Sequence, residues 1–312
     1  MVLLLLFILW VALAQPSCRR NPRSNASVDP EVLRAHVDML AVTFRPRDWI
    51  HPENLDATAN YISEKLSETG ARISTQPVQT GNLTSRNVIG SFNAGHSPRI
   101  IVGAHYDAFQ VFPAADDNAS GIAVLIELAA LLGKMENPPP VDLVAYTYEE
   151  PPHFAGPQMG SAVHANSLEG SEEDYLGVIV LEMVGYYSDE AFSQSYPMPM
   201  LYMMYPHRGN YLAVISRWDQ GDWIKNVKVA MKSRSDMPVY SLRAPDRVPG
   251  IDFSDHRNYW PLNIPALMVT DTSFYRNRHY HSKEDLPESL DYPRMAQVTL
   301  SVFEAVKELG KP

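Results

Sequence analysis

The sequence predicts an α/β fold, a three-layer αβα sandwich around a mostly parallel, twisted sheet. Three observations predict it. Residues 99–104, 141–148 and 176–184 are short, nearly continuous apolar runs of the kind that forms strands buried on both faces. Segments with helical spacing separate those runs, the pattern of βαβ units. Polar residues rich in acids and histidine follow the runs, where open α/β sheets place their ligands.

The elements follow in order. Residues 1–14 are all apolar. That run is shorter than the about 20 residues of a membrane span, but it matches the apolar core of a signal peptide. Ala12-Leu13-Ala14 reads as a small-x-small cleavage site. Arg19, Arg20 and Arg23 follow the run rather than precede it, a flank that also suits an uncleaved anchor. Residues 1–20 are therefore read as a signal peptide or N-terminal anchor of an exported chain. Residues 21–27 are read as a linker and 28–312 as a single domain.

A helix is expected over 30–44, started by Asp29-Pro30 and carrying Val32, Leu33, His36 and Leu40 on one side. A second, over 54–69, ends at Gly70. Strands are expected over 71–78, 86–92 and 99–104, and a buried helix over 119–132. Further strands are read at 141–148 and 176–184, then a long amphipathic helix over 211–232. A strand at 266–270 and a helix over 292–309 close the chain. No repeat or low-complexity block interrupts the alternation.

Composition narrows the function. Lys and Arg number 26 against 36 Asp and Glu, a net charge of −10, with 45% hydrophobic and 20% charged residues. That is ordinary globular composition. A negative chain without a basic stripe has no electrostatic reason to bind nucleic acid. The single cysteine, Cys18, lies in the leader region, so no intrachain disulfide supports the fold.

Five segments carry the chemistry. His105-Tyr106-Asp107 follows the 99–104 run, and in an extended chain Asp107 lies on the same side as His105, able to orient its imidazole. Asp116-Asp117-Asn118 precedes the 119–132 helix, where acids also serve as caps. Glu149-Glu150 ends the 141–148 run, the two side chains diverging so that one can hold a metal and the other face water. Glu182 lies inside an apolar strand, where a carboxylate is costly unless paired or metal-bound. His279 and His281 follow the last strand, with Asp285 close downstream. A capped turn, a solvated acidic loop or a surface histidine would explain several of these singly. Together they offer imidazole and carboxylate donors without a thiolate, a set that suits zinc and similar divalent ions. One histidine and one carboxylate per metal, plus a shared carboxylate, fits a two-metal hydrolase.

At these residues the sequence resembles the two-zinc exopeptidases that include bacterial leucyl aminopeptidase and glutamate carboxypeptidase, metallopeptidase family twenty-eight. The resemblance runs in order over about residues 85–310. G-x-H-x-D corresponds to Gly103–Asp107, D-D-x-A-S-G to Asp116–Gly121, the Glu pair to Glu149-Glu150 and H-x-x-x-D to His281 with Asp285. The resemblance implies two Zn²⁺ ions, one held by His105 and one by His281 rather than His279. It makes Asp117 their bridge and Glu150 and Glu182 further ligands. Glu149 is then the general base, and Asp107 joins it as a catalytic residue through His105. Asp255, from Ser254-Asp255-His256 near the substrate side, and Asp285 support the ligands without binding metal. The resemblance also implies a cis peptide between Asp117 and Asn118. Pro151-Pro152-His153-Phe154 departs from the family's usual glycine-leading sequence, in a loop bordering the substrate pocket.

The expected activity is metallo-exopeptidase, most simply an aminopeptidase acting on peptides. The alternatives are a one-zinc glutaminyl-peptide cyclotransferase and a binding domain that has lost its metal, as in the transferrin-receptor ectodomain. The residues identify neither the preferred side chain nor the oligomeric state.

Overall fold

The computed structural model describes residue 8 and residues 10–17, 26–233 and 236–311. The sequence readings on Cys18, on Arg19, Arg20 and Arg23, and on residues 1–7 and 9 lie outside the described residues.

Helix α1 spans Pro30–Asp38, with Asp29 accepting the Glu31 amide at its start, and continues as a π-helical turn, Met39–Thr43. Helix α2 spans Pro52–Glu68. Strands β1, Arg72–Thr80, and β2, Leu83–Phe92, form an antiparallel hairpin turned at Gly81, whose φ is +55°. Then come β3, Arg99–His105; α3, Gly121–Gly133; β4, Val141–Tyr146; α4, Gly160–Asn166; and β5, Tyr175–Glu182. The last third holds β6, Leu212–Arg217; α5, Gly221–Met231; β7, Val239–Ala244; β8, Ala266–Thr270; and α6, Tyr292–Leu309.

Among the described residues the eight strands form one sheet in the order β1-β2-β4-β3-β5-β8-β6-β7. The central β4, β3, β5 and β8 run parallel, with antiparallel pairings at β1–β2, β2–β4 and β6–β8. Successive residues alternate between two cores, as the pleat requires. Ile100, Val102 and Ala104 of β3 face the larger core with α1, α2, α3, α5 and α6. Ile101, Val178 and Val180 face a smaller core with Ala165, Tyr259 and Trp260. The predicted αβα sandwich is therefore present, with a thin second helical layer built from α4 and the 3₁₀ segment Asp255–Leu262.

One expected element is wrong. Residues 211–232 are not one helix but β6, a 3₁₀ turn at Trp218–Gln220, and α5. Leu212 and Val214 occupy the core at strand spacing, and β6 pairs with β8 on one side and β7 on the other. Apolar positions in this stretch satisfy both periods, and sheet pairing decides between them. The sequence reading also left α4 and β7 unassigned.

Candidate metal centre and active site

The site collects where the central strands end. His105 is the last residue of β3, Glu182 the last of β5, and Glu149 and Glu150 lie just beyond β4. Asp117 comes from the turn before α3, and His281 from the loop after β8. This is the carboxyl edge of the parallel strands, where helices and turns leave room for ligands.

Two clusters share Asp117. His105 Nε2 is 3.4 Å from Asp117 Oδ1 and 3.5 Å from Glu182 Oε2. His281 Nε2 is 3.1 Å from Asp117 Oδ2 and 3.2 Å from Glu150 Oε2. Donor atoms about 2.0–2.1 Å from a tetrahedral zinc ion are about 3.3 Å from each other, which these spacings match. Both imidazole Nε2 atoms and Glu150 Oε1 are buried without a hydrogen-bond partner. Buried polar atoms are rarely left so, and these converge on common points. The donor set fits a pair of divalent ions.

The electrostatics ask for the same thing. Asp107, Asp117, Glu149, Glu150, Glu182 and Asp255 are all buried. Burial, with neighbouring carboxylates, raises Glu149 well above the usual carboxylate range and Glu150 to about 8. Burial lifts Asp255 to about 7. Burial alone would raise Asp117 too, but the two imidazoles beside it, those of His105 and His281, hold it well below normal. Burial works against protonated His281, yet Asp117 and Glu150 raise it to about 10. So many buried acids are costly without added positive charge.

Support for the cluster comes from residues that never touch its centre. Asp107 accepts the backbone amides of Glu149 and Glu150, at 3.0 and 3.1 Å. His105 Nδ1 lies nearer the Asp107 backbone carbonyl, 3.2 Å, than its carboxylate, 3.4 Å. Asp285 is not a partner of His281: its carboxylate accepts the amides of Asp116 and Asp117. Asp116 turns away, accepting from the Gly185 amide and the Asn277 side chain. Ser254 donates to Glu182 Oε2, and Ser161 to Asp255. The peptide between Asp117 and Asn118 is cis.

The sequence reading missed two features. Arg47, wholly buried, donates to the carbonyls of Leu40, Tyr106, Pro113 and Ala114 and ties the strand end to the turn before Asp117. His281 is sandwiched between Phe109 and Tyr280, with ring centroids 4.0 and 3.7 Å away. Stacking against two rings limits where its Nε2 can point. His279 packs edge-on to Tyr186 instead.

A chamber of about 220 Å³ opens beside Asp117, Glu149, Glu182 and His281. Pro151 and Phe154 from the departing loop line it, whereas His153 stacks on Tyr148 and bonds to Thr80. Among the described residues the lining contains no Lys or Arg.

The family model for peptidase family M28 matches residues 87–306, most of the chain, with His105, Asp117, Glu149, Glu150, Glu182 and His281 all inside it. The chain belongs to peptidase family M28. It is thus a hydrolase of the metallo-exopeptidase kind. It is 42% identical to uncharacterized protein YfbL of Escherichia coli, over 97% of this chain and 95% of that one. It is 28% identical to aminopeptidase YwaD of Bacillus subtilis over 74% of this chain, spanning about half, 47%, of that relative. In fold it resembles the LapA aminopeptidase of Legionella pneumophila, with TM-score 0.72, 20% identity and coverage of 91% of this chain and 73% of LapA. It also resembles a glutaminyl cyclase of Porphyromonas gingivalis, with TM-score 0.69, 18% identity and coverage of 91% and 100%.

Proposed function

We propose that the chain is a zinc aminopeptidase with two zinc ions, releasing the first residue of a peptide. The observation that carries this is the chamber. Acids of the metal centre form part of its wall, the rest of the wall is largely apolar and aromatic, and its described lining offers no Lys or Arg. A carboxypeptidase would need a cation for its substrate's free carboxylate. A free amine is attracted to the carboxylates, and an apolar first side chain fills the chamber.

His105, Asp117 and Glu182 would hold one ion, and Asp117, Glu150 and His281 the other. Zinc bound there supplies Lewis acidity, lowering the pKa of water and polarising the scissile carbonyl. Glu149 lines the chamber and is buried, so its affinity for protons is raised. In this reading it takes a proton from water as the water oxygen bonds to the carbonyl carbon. It then delivers that proton to the nitrogen as the C–N bond breaks. Asp107 directs Glu149 and Glu150 by holding both their amides. The apolar leader supports delivery to a membrane or export, a reading that rests on the sequence.

The test is zinc-loaded enzyme offered leucyl-arylamide, its N-acetylated form and a glutaminyl peptide. Release from the free-amine substrate alone is expected. Pyroglutamate formation without amino-acid release, with one zinc per chain, would make it a cyclotransferase. Removal of the last residue from an N-blocked peptide would make it a carboxypeptidase.

A further inference from the structure

The end of the leader is built into the fold. Leu13 and Ala14 are buried, and Ala14 packs on Leu201 and Tyr205, two residues that also line the chamber. Lys228 of α5, only 2% exposed, donates through Nζ to the carbonyls of Ala14 (2.7 Å) and Gln15 and to Ser241 Oγ (2.8 Å). Arg243 donates to the Ala12 carbonyl at 2.6 Å, the Gln15 side chain to Gly221 O at 2.8 Å, and Lys232 to Ser17 O at 2.8 Å. The backbone of residues 12–17 is thus gripped by the body from several sides. Tyr205 OH, bonded to Ser241 O at 2.7 Å, joins this grip to the chamber wall.

Cleavage after Ala14 would undo the arrangement in a specific way. Lys228 would lose the Ala14 carbonyl, and Arg243 the Ala12 carbonyl. The new ammonium of Gln15 would lie beside the buried Lys228 ammonium, two like charges with little water between them. A disposable leader needs no such seat.

Around the same place the surface is apolar. Leu13, Met198 and Trp218 line one groove, and Ile8, Val11, Tyr202, Met203 and Phe192 are exposed, the last two at 78%. Phe192 and Tyr202 both pack on His207, which connects the patch. Arg243 stacks over Trp218, and Arg247 lines the groove, so cations edge it. Every residue of the stretch 1–14 is apolar in sequence. An apolar rim with cationic edges, joined to an N-terminal sequence that is apolar throughout, matches a bilayer surface with anionic headgroups.

We propose that residues 10–17 are a permanent wedge of the mature enzyme. The chain keeps its leader and rests the rim formed by Phe192, Met198, Tyr202, Met203 and Trp218 on lipid. This inference is independent of the peptidase reading.

The full chain, extracted from membranes, is examined by intact mass, by flotation with phosphatidylethanolamine–phosphatidylglycerol vesicles, and by hydrogen exchange. The mass should include the leader, and the protein should float. Met203→Asp with Phe192→Asp should lower flotation several-fold at unchanged arylamide hydrolysis. Lys228→Met should speed amide exchange in residues 10–17 at least about tenfold. A chain beginning at Gln15, flotation untouched by the rim variant, or unchanged exchange in Lys228→Met would overturn the proposal.

Discussion

The Asp107 carboxylate accepts the Glu149 amide at 3.0 Å through Oδ1, and its other oxygen takes the next amide, that of Glu150, at 3.1 Å. One acid at the end of β3 thereby sets the backbone of the loop after β4, and with it the divergence of two adjacent carboxylates. Replacement by Asn keeps the shape but turns one acceptor into a donor facing an amide. A buried donor left unpaired costs about 1–3 kcal/mol. For Asp107→Asn we expect kcat to fall about 10–100-fold with KM little changed, and zinc affinity to weaken. A variant with wild-type kcat and zinc content would show that the clasp is dispensable.

The adjacent glutamates should separate cleanly. In the proposed reading Glu149→Gln retains zinc and loses about 10²–10⁴-fold in turnover, the usual worth of a general base. Glu150→Gln should instead lose zinc affinity, by at least about tenfold. Metal analysis after dialysis, beside turnover at saturating zinc, distinguishes them. Zinc loss confined to Glu149→Gln would reverse the two roles.

The residues converging on the site were legible because they are out of place locally. Glu182 in an apolar strand, and His105 directly after the buried run 99–104, are visible to a reader who asks what a buried strand end needs. The partners of Asp107 and Asp285 were not legible in the same way. Spacing suggested imidazole partners, and the Asp107 carboxylate does lie 3.4 Å from His105 Nδ1, but the hydrogen bonds of both acids form to backbone amides brought close by folding, Asp107 to residues 42 and 43 positions away. Arg47 was invisible because its carbonyl acceptors have no sequence signature. The left-handed backbone of Tyr148 and Met183, at φ of 56° and 47°, is likewise set by the strand ends they follow. In the fold, the error at 211–232 has a single cause: a short strand and a helix joined by a 3₁₀ turn share an apolar pattern that one long helix would also show.

Gly103 lies two residues before His105, and a Cβ there would run into the ring of Tyr146. Tyr146 cannot easily withdraw, since its hydroxyl bonds Tyr259 at 2.6 Å and its ring is buried in the smaller core. Gly103→Ala should cost about 1–3 kcal/mol or more by overpacking. Thermal unfolding of the zinc-loaded proteins measures it, and an unchanged midpoint would mean the ring has room the structure does not show.

His164 provides a pH test away from the metal centre. It is buried in α4, with Nδ1 2.8 Å from the Tyr259 hydroxyl, and desolvation lowers its pKa from 6.5 to about 4. Between those values the unfolded chain takes up a proton that the folded chain refuses. Stability therefore falls as pH drops from about 6.5 towards 4 and is recovered as pH rises again, by up to about 3 kcal/mol from this group. His256, also lowered to about 4, adds a slope of the same sign. The metal ligands titrate in both parent and variant, so the difference between them isolates His164. His164→Gln should unfold at a less pH-dependent denaturant midpoint across pH 4.5–6.5, even if it is less stable at pH 7. Parallel pH profiles for the two proteins would mean that His164 is charged in the fold, and that Tyr259 accepts its proton rather than donating.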